Sequence, residues 1–146
     1  MTTHISLRQM ALSAGVEEEL DTTDIEVYLH GTIASFGLQI IKTTGGCLSR
    51  TGGKWAGVWH TVMNLEAASI FASRSCVNAR AEKPIVVGMA LPRAVAMGLT
   101  SHGFLSSPPI PNPPHGVSPT TPQYVFLPDS FPRLRSDGFF FTAKKP

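Results

Sequence analysis

The sequence predicts an α+β domain built on mixed or antiparallel sheets. Three observations carry that reading. Short apolar runs of strand character fall at residues 27–30, 57–62, 85–91, 123–127 and 138–142. The helical stretches between them are too few and too short for a doubly wound parallel sheet. Residues 104–122 hold seven of the twelve prolines, which makes that segment an extended, stiffened loop rather than a helix or a central strand.

Length and composition bound the answer. At 146 residues the chain suits one domain with a real core. A hydrophobic content of 42% against 15% charged residues excludes a wholly disordered protein. No apolar stretch approaches the length of a membrane-spanning helix, and His4, Arg8 and Gln9 interrupt any signal-like apolar core at the N-terminus. Cys47 and Cys76 lie outside metal-binding spacing, so two free thiols in a reducing compartment are expected. Charge divides sharply along the chain. Residues 1–26 carry one base and six acids, whereas residues 27–146 carry eleven bases and four acids. We therefore divide the chain into an N-terminal acidic segment, residues 1–25, and a single domain, residues 26–146. Its basic body could attract phosphate groups or an acidic protein, or simply be a solvated surface.

In chain order, residues 3–14 can form a short helix with Ile5, Leu7, Met10, Ala11 and Ala14 on one side, and Glu17 to Asp24 an exposed linker. Val27-Tyr28-Leu29-His30 reads as a strand, and Ile33, Phe36, Ile40 and Ile41 recur at the spacing of a helical face. Between them Thr32 is placed as the helix N-cap, and Gly31 lets the backbone approach a ligand or adopt positive φ. His30 would then close a strand beside a helix N-terminus, where free amides favour an anionic group. Residues 43–54 are a glycine- and hydroxyl-rich loop. They are not a P-loop, because Gly53-Lys54 is followed by Trp55 rather than by a hydroxyl residue opening a helix. Gly57 to Val62 reads as a second strand, Asn64 as the cap of a helix carrying Leu65, Ala68, Phe71 and Ala72, and Pro84 as the opening of a strand buried on both faces. Pro92 begins a short helix through Leu99. Gln123 to Leu127 forms a strand, Pro128 to Pro132 a turn or short helical turn, and Gly138 to Thr142 the last strand.

A strand ending His30-Gly31-Thr32, a helix ending Lys42-Thr43-Thr44-Gly45-Gly46, the strand Gly57-Val58-Trp59-His60-Thr61, the helix containing Ala67-Ala68 and Phe71-Ala72, and a late strand opening on Gln123 follow one another in that order. Their order and spacing resemble the catalytic fold of the ADP-ribosyltransferases. The likeness is to the His-Tyr-Glu branch of diphtheria toxin and the poly(ADP-ribose) polymerases, with its many small toxin and effector domains. It covers residues 26–142 and implies two small sheets, mixed or antiparallel, that form a cleft with short helices.

The resemblance implies NAD as the substrate and no metal. His30 would bond the adenosine-side ribose, Gly31 would hold the nicotinamide amide, and Thr32 would stand beside them. Trp59 takes the tyrosine position and would stack on nicotinamide, with Thr61 alongside, although Trp59 reads equally well as a core residue. Gln123 falls where the family has its catalytic glutamate, keeping a hydrogen bond but no charge to stabilise the oxocarbenium-like state. A naturally altered enzyme, an inactivating substitution in a toxic protein and a misplaced motif are the competing explanations. Asp129 is the nearest downstream carboxylate, in a turn that reads as structural.

The implied activity is mono-ADP-ribosylation of a macromolecular acceptor, a protein rather than a nucleic acid, with the loop before Gln123 choosing the target. The implied setting is the cytoplasm, or delivery into a target cell without a classical signal peptide, and no membrane is involved. Two other classes stay open. One is a non-catalytic NAD-binding or protein-interaction module on the same fold. The other is a hydrolase or nuclease using His30 and His60 as acid and base.

Overall fold

The computed structural model describes residues 7–16, 20, 24–45, 58–78 and 82–143. In chain order the elements are α1 (Leu7–Ser13), β1 (Ile25–Ile33), α2 (Ala34–Lys42), β2 (Trp59–Val62), α3 (Leu65–Asn78), β3 (Pro84–Pro92), α4 (Arg93–Ser101), β4 (Leu105–Ser106) and β5 (Gln123–Phe126). A 3₁₀ turn (Pro128–Ser130), α5 (Phe131–Asp137) and β6 (Phe139–Thr142) complete the chain. The strands form one six-stranded sheet in the order β4-β5-β2-β1-β3-β6, with every neighbouring pair antiparallel. The fold is therefore α+β.

Two separate sheets are not what the described residues form, yet the single sheet has a weak seam. β1 and β3 pair along their whole length, from Ile25 opposite Pro92 to Ile33 opposite Pro84. β2 and β5 pair from Trp59 opposite Phe126 to Val62 opposite Gln123. Between β1 and β2 the register holds only at Leu29 opposite Val62. That one pairing keeps the two three-stranded halves continuous, and beyond it the strands part.

Helices cover both faces, so strand alternation sorts the core into two clusters. On one face Tyr28, Trp59, Val87, Met89, Leu91, Phe126 and Phe140 pack against Ile40 of α2, Ala96 and Leu99 of α4, and Phe131 and Leu134 of α5. On the other, Ile25, Val27, Leu29, Val62, Val86 and Phe141 pack against Ala11 of α1 and Ala67, Ala68 and Ala72 of α3. This double cover is why Ile85 to Leu91 is apolar without alternation, as expected for a strand buried on both sides. Ala11 and Val16, from the acidic lead segment, are fully buried in the second cluster. Arg93 ties that segment down from outside, with Nε 2.8 Å from Asp24 Oδ1 and Nη1 2.6 Å from Glu26 Oε1.

Several boundaries differ from the sequence expectation. Thr32 is not a helix cap. It lies within β1 opposite Ile85, α2 begins two residues later, and Ile33 occupies the cap position without a side-chain hydrogen bond. The β-branched pair Thr32-Ile33 continues the ladder with β3, and the first helical amides find other acceptors. Ala34 N–H donates to the Lys83 carbonyl at 2.7 Å, and Ser35 N–H to Glu82 Oε2 at 3.4 Å. The chain's own carboxylate thus takes the anion position at this N-terminus. His30 accordingly stands three residues inside the strand rather than at its end.

Asn64 does cap α3, its Oδ1 accepting from the Ala67 amide at 2.9 Å. The segment after Pro128 goes further than a turn, with Pro132 in the first turn of α5 where a missing N–H costs nothing. Residues 3–6, the acidic residues 17–19 and 21, Cys47, the loop from Gly46 to Lys54, and Gly57 are expectations that lie outside the described residues. Among the described residues no helix is long and apolar enough to cross a membrane.

Candidate functional site

Where β1 and β2 part, a cavity of about 840 Å³ opens. That volume falls within the roughly 300–1,000 Å³ usual for small-molecule sites. Its floor is the sheet, through Leu29, Gly31, His60, Val62, Gln123 and Val125. One wall is α3, through Phe71, Arg74 and Ser75, and the other is the rod Pro108-Pro109-Ile110-Pro111. His30 and Thr61 border it at the gap between the strands, their side chains alternating towards the Trp59 face.

The polar groups on the floor form a chain of hydrogen bonds that fixes each proton. His30 Nδ1 lies 2.7 Å from the His60 carbonyl oxygen. A carbonyl only accepts, so Nδ1 carries the proton and His30 Nε2 keeps its lone pair. This side-chain bond spans the gap where the ladder between β1 and β2 has stopped. Burial, with a smaller contribution from the neighbouring His60 ring, pushes the His30 imidazole down to about 4, while its bond to the His60 carbonyl works in the opposite direction. His30 is therefore a neutral acceptor near neutral pH.

Gln123 is 7% exposed and bonded at both ends of its amide. Its Nε2 donates to the Pro109 carbonyl at 3.0 Å, and its Oε1 lies 3.2 Å from His60 Nδ1. Because the proline carbonyl only accepts, the NH₂ must face it, which leaves Oε1 to accept from His60. Ser107 Oγ donates to the Gln123 carbonyl at 2.8 Å, so backbone and side chain of one glutamine both hold the proline segment in place. Thr61 Oγ1 donates across the strands to the Tyr124 carbonyl at 2.8 Å.

Of the residues expected at the site, His30, Gly31, Thr61 and Gln123 come together around this cavity. Thr32 and Trp59 do not line it. Trp59 is 1% exposed, on the other face of β2, with ring centroids 5.9 Å from Phe126, 6.1 Å from Phe140 and 5.3 Å from His30. Its indole is core packing beneath the site and presents no free face for stacking. Its Nε1–H is buried without a hydrogen-bond partner among the described residues.

Gly31 lines the cavity, but its lack of a side chain answers chiefly to α3, whose Ala68 and Ala72 backbone presses on it. His60, one residue along from Trp59, is the ring that β2 turns towards Gln123. Phe71 is expected only on the apolar stripe of its helix, and nothing in the sequence marks Arg74. Their i, i+3 spacing on α3 puts them on one face. No protein-family model, curated protein or solved structure matches the chain.

Proposed function

We propose that this chain is an NAD-dependent mono-ADP-ribosyltransferase domain of the small toxin and effector type, binding NAD in the cavity at the parting of β1 and β2. One observation carries the reading. His30 and Gly31 of β1, Thr61 of β2 and Gln123 of β5, far apart in sequence, line a single cavity of about 840 Å³. Gly31 offers main-chain groups to the cavity without a side chain in the way, while the His30 ring, turned to the Trp59 side of the sheet, borders the gap and holds the His60 carbonyl beside it.

In the reaction the bond between nicotinamide and its ribose breaks. Nicotinamide leaves with the bonding pair, and a nucleophile of the acceptor protein attacks the exposed ribose carbon. Gln123, at the cavity floor, would offer that carbon a neutral group, so the positive charge developing on the ribose would receive less stabilisation than a carboxylate gives.

A specific observation favours a second reading, a binding module on the same fold without turnover. Both ends of the Gln123 amide are already committed within the protein. Calorimetric titration with NAD, combined with an assay of nicotinamide release by the native chain and by Gln123→Glu, separates the two. Release by either protein supports the transferase. Binding without release in both supports the module, and absence of NAD binding overturns both.

A further inference from the structure

We infer that the cavity selects a phosphate-bearing nucleotide and that Arg74 is the group that holds its phosphate. The inference deepens the NAD reading, on which it rests, by naming the residue that takes the charge.

Among the described residues lining the cavity Arg74 is the one lysine or arginine, and no aspartate or glutamate lines it. Arg74 has no carboxylate partner among the described residues, in contrast to Arg93 and Arg133, which are both paired. Its neighbour on the wall does not compete for a ligand, because Ser75 Oγ donates to the Phe71 carbonyl at 3.0 Å. The imidazole of His30 is held neutral by burial and adds no charge. Among the described residues the cavity therefore carries its lysine or arginine charge at the α3 wall alone, on a body in which bases outnumber acids eleven to four over residues 27–146.

Apart from the hydrogen-bonded polar groups of the floor and Ser75, the remaining surface is apolar. Phe71, Val62, Val125, Ile110 and the proline rings give it apolar lining against which a heterocycle can pack. A ligand with one flat apolar end and one anionic end fits this division, and a guanidinium matches phosphate oxygens with two parallel donors. A neutral nucleoside would pack against that lining and leave the charge unanswered.

The test is calorimetric titration of the intact chain, and of Arg74→Ala and Arg74→Lys, with NAD, ADP and adenosine. Arg74 is exposed, so both variants keep the native melting temperature. The expected result is that Arg74→Ala weakens ADP and NAD by about ten- to hundredfold, leaves adenosine unchanged, and is partly rescued by lysine. Undiminished ADP and NAD binding by Arg74→Ala overturns the anchor while leaving the NAD reading standing. Binding of ADP that depends on Arg74, with no binding of NAD, keeps the anchor and overturns the NAD reading. Adenosine binding as tightly as ADP, or no binding of any of the three, overturns the anchor.

Discussion

A β-carbon built on Gly31 would lie 1.9 Å from the Ala68 carbonyl oxygen and 2.6 Å from the Ala72 amide nitrogen. Both atoms are backbone of α3, the helix that forms one wall of the cavity. Strand and helix therefore touch main chain to main chain, and the glycine sets how deep the helix sits.

Gly31→Ala must push α3 off the sheet, because backbone cannot turn aside as a side-chain tip can. We expect a loss of about 3 kcal/mol, at the upper end of overpacking costs. Thermal unfolding would show this as a fall in Tm of roughly 10 °C. An unchanged melting curve would mean that the helix stands further out.

Acid should destabilise the fold through His30. In the unfolded chain this imidazole takes a proton near its ordinary value of 6.5, whereas in the fold it does so only at about 4. Between those values the unfolded state binds more protons, so stability falls as pH drops through the window, by about 3 kcal/mol if the whole shift is expressed. Urea midpoints for the native chain and His30→Asn, taken at about pH 7, 5 and 4, check this. Asparagine keeps a donor for the His60 carbonyl but cannot take up the proton, so its curve should be flatter.

Gln123→Glu removes the only amide hydrogens that hold the Pro109 carbonyl from this side chain, and a carboxylate oxygen facing a carbonyl oxygen is repelled. The proline rod should loosen from the sheet. Backbone amide relaxation at Ile110 and Asn112 reads this, and we expect order parameters to fall from about 0.85 towards about 0.6. Equal order parameters in the two proteins would show that the rod is held by packing alone.

Trp59 should matter to folding and not to ligand. Trp59→Phe keeps most of the core contact and should leave NAD affinity within about twofold of the native chain, whereas Trp59→Ala should cost about 3–5 kcal/mol of stability. A large loss of NAD affinity in the phenylalanine variant would return the indole to the site.

Much of this could be read from local pattern. The continuous apolar run in β3, the Asn64 cap and the strand opening at Gln123 are short-range signals, and the structure has them where the sequence put them. That His30, Gly31, Thr61 and Gln123 border one cavity follows from no local pattern, because the strands that carry them are joined only by long-range pairing.

Thr32 was misread because a hydroxyl before a helical run looks like a cap, while the ladder that claims it runs to Ile85, far along the chain. Trp59 carries two sequence readings, stacking ring and core residue, and strand parity decides for the core. In a strand the face alternates at every residue, and nothing local says whether Trp59 or His60 turns towards β5's glutamine. Arg74 is beyond local reading altogether, since its exposure beside the cavity depends on how deeply Gly31 lets α3 descend.

The proline-built wall has a kinetic meaning. Pro108, Pro109 and Pro111 each have a fixed φ, so this side of the chamber has few alternative shapes to abandon when a guest arrives. Little ordering entropy is then surrendered at docking. Encounters should be limited by diffusion and desolvation rather than by waiting for a flap to close, so the molecule receives its ligand as a ready-cast mould does.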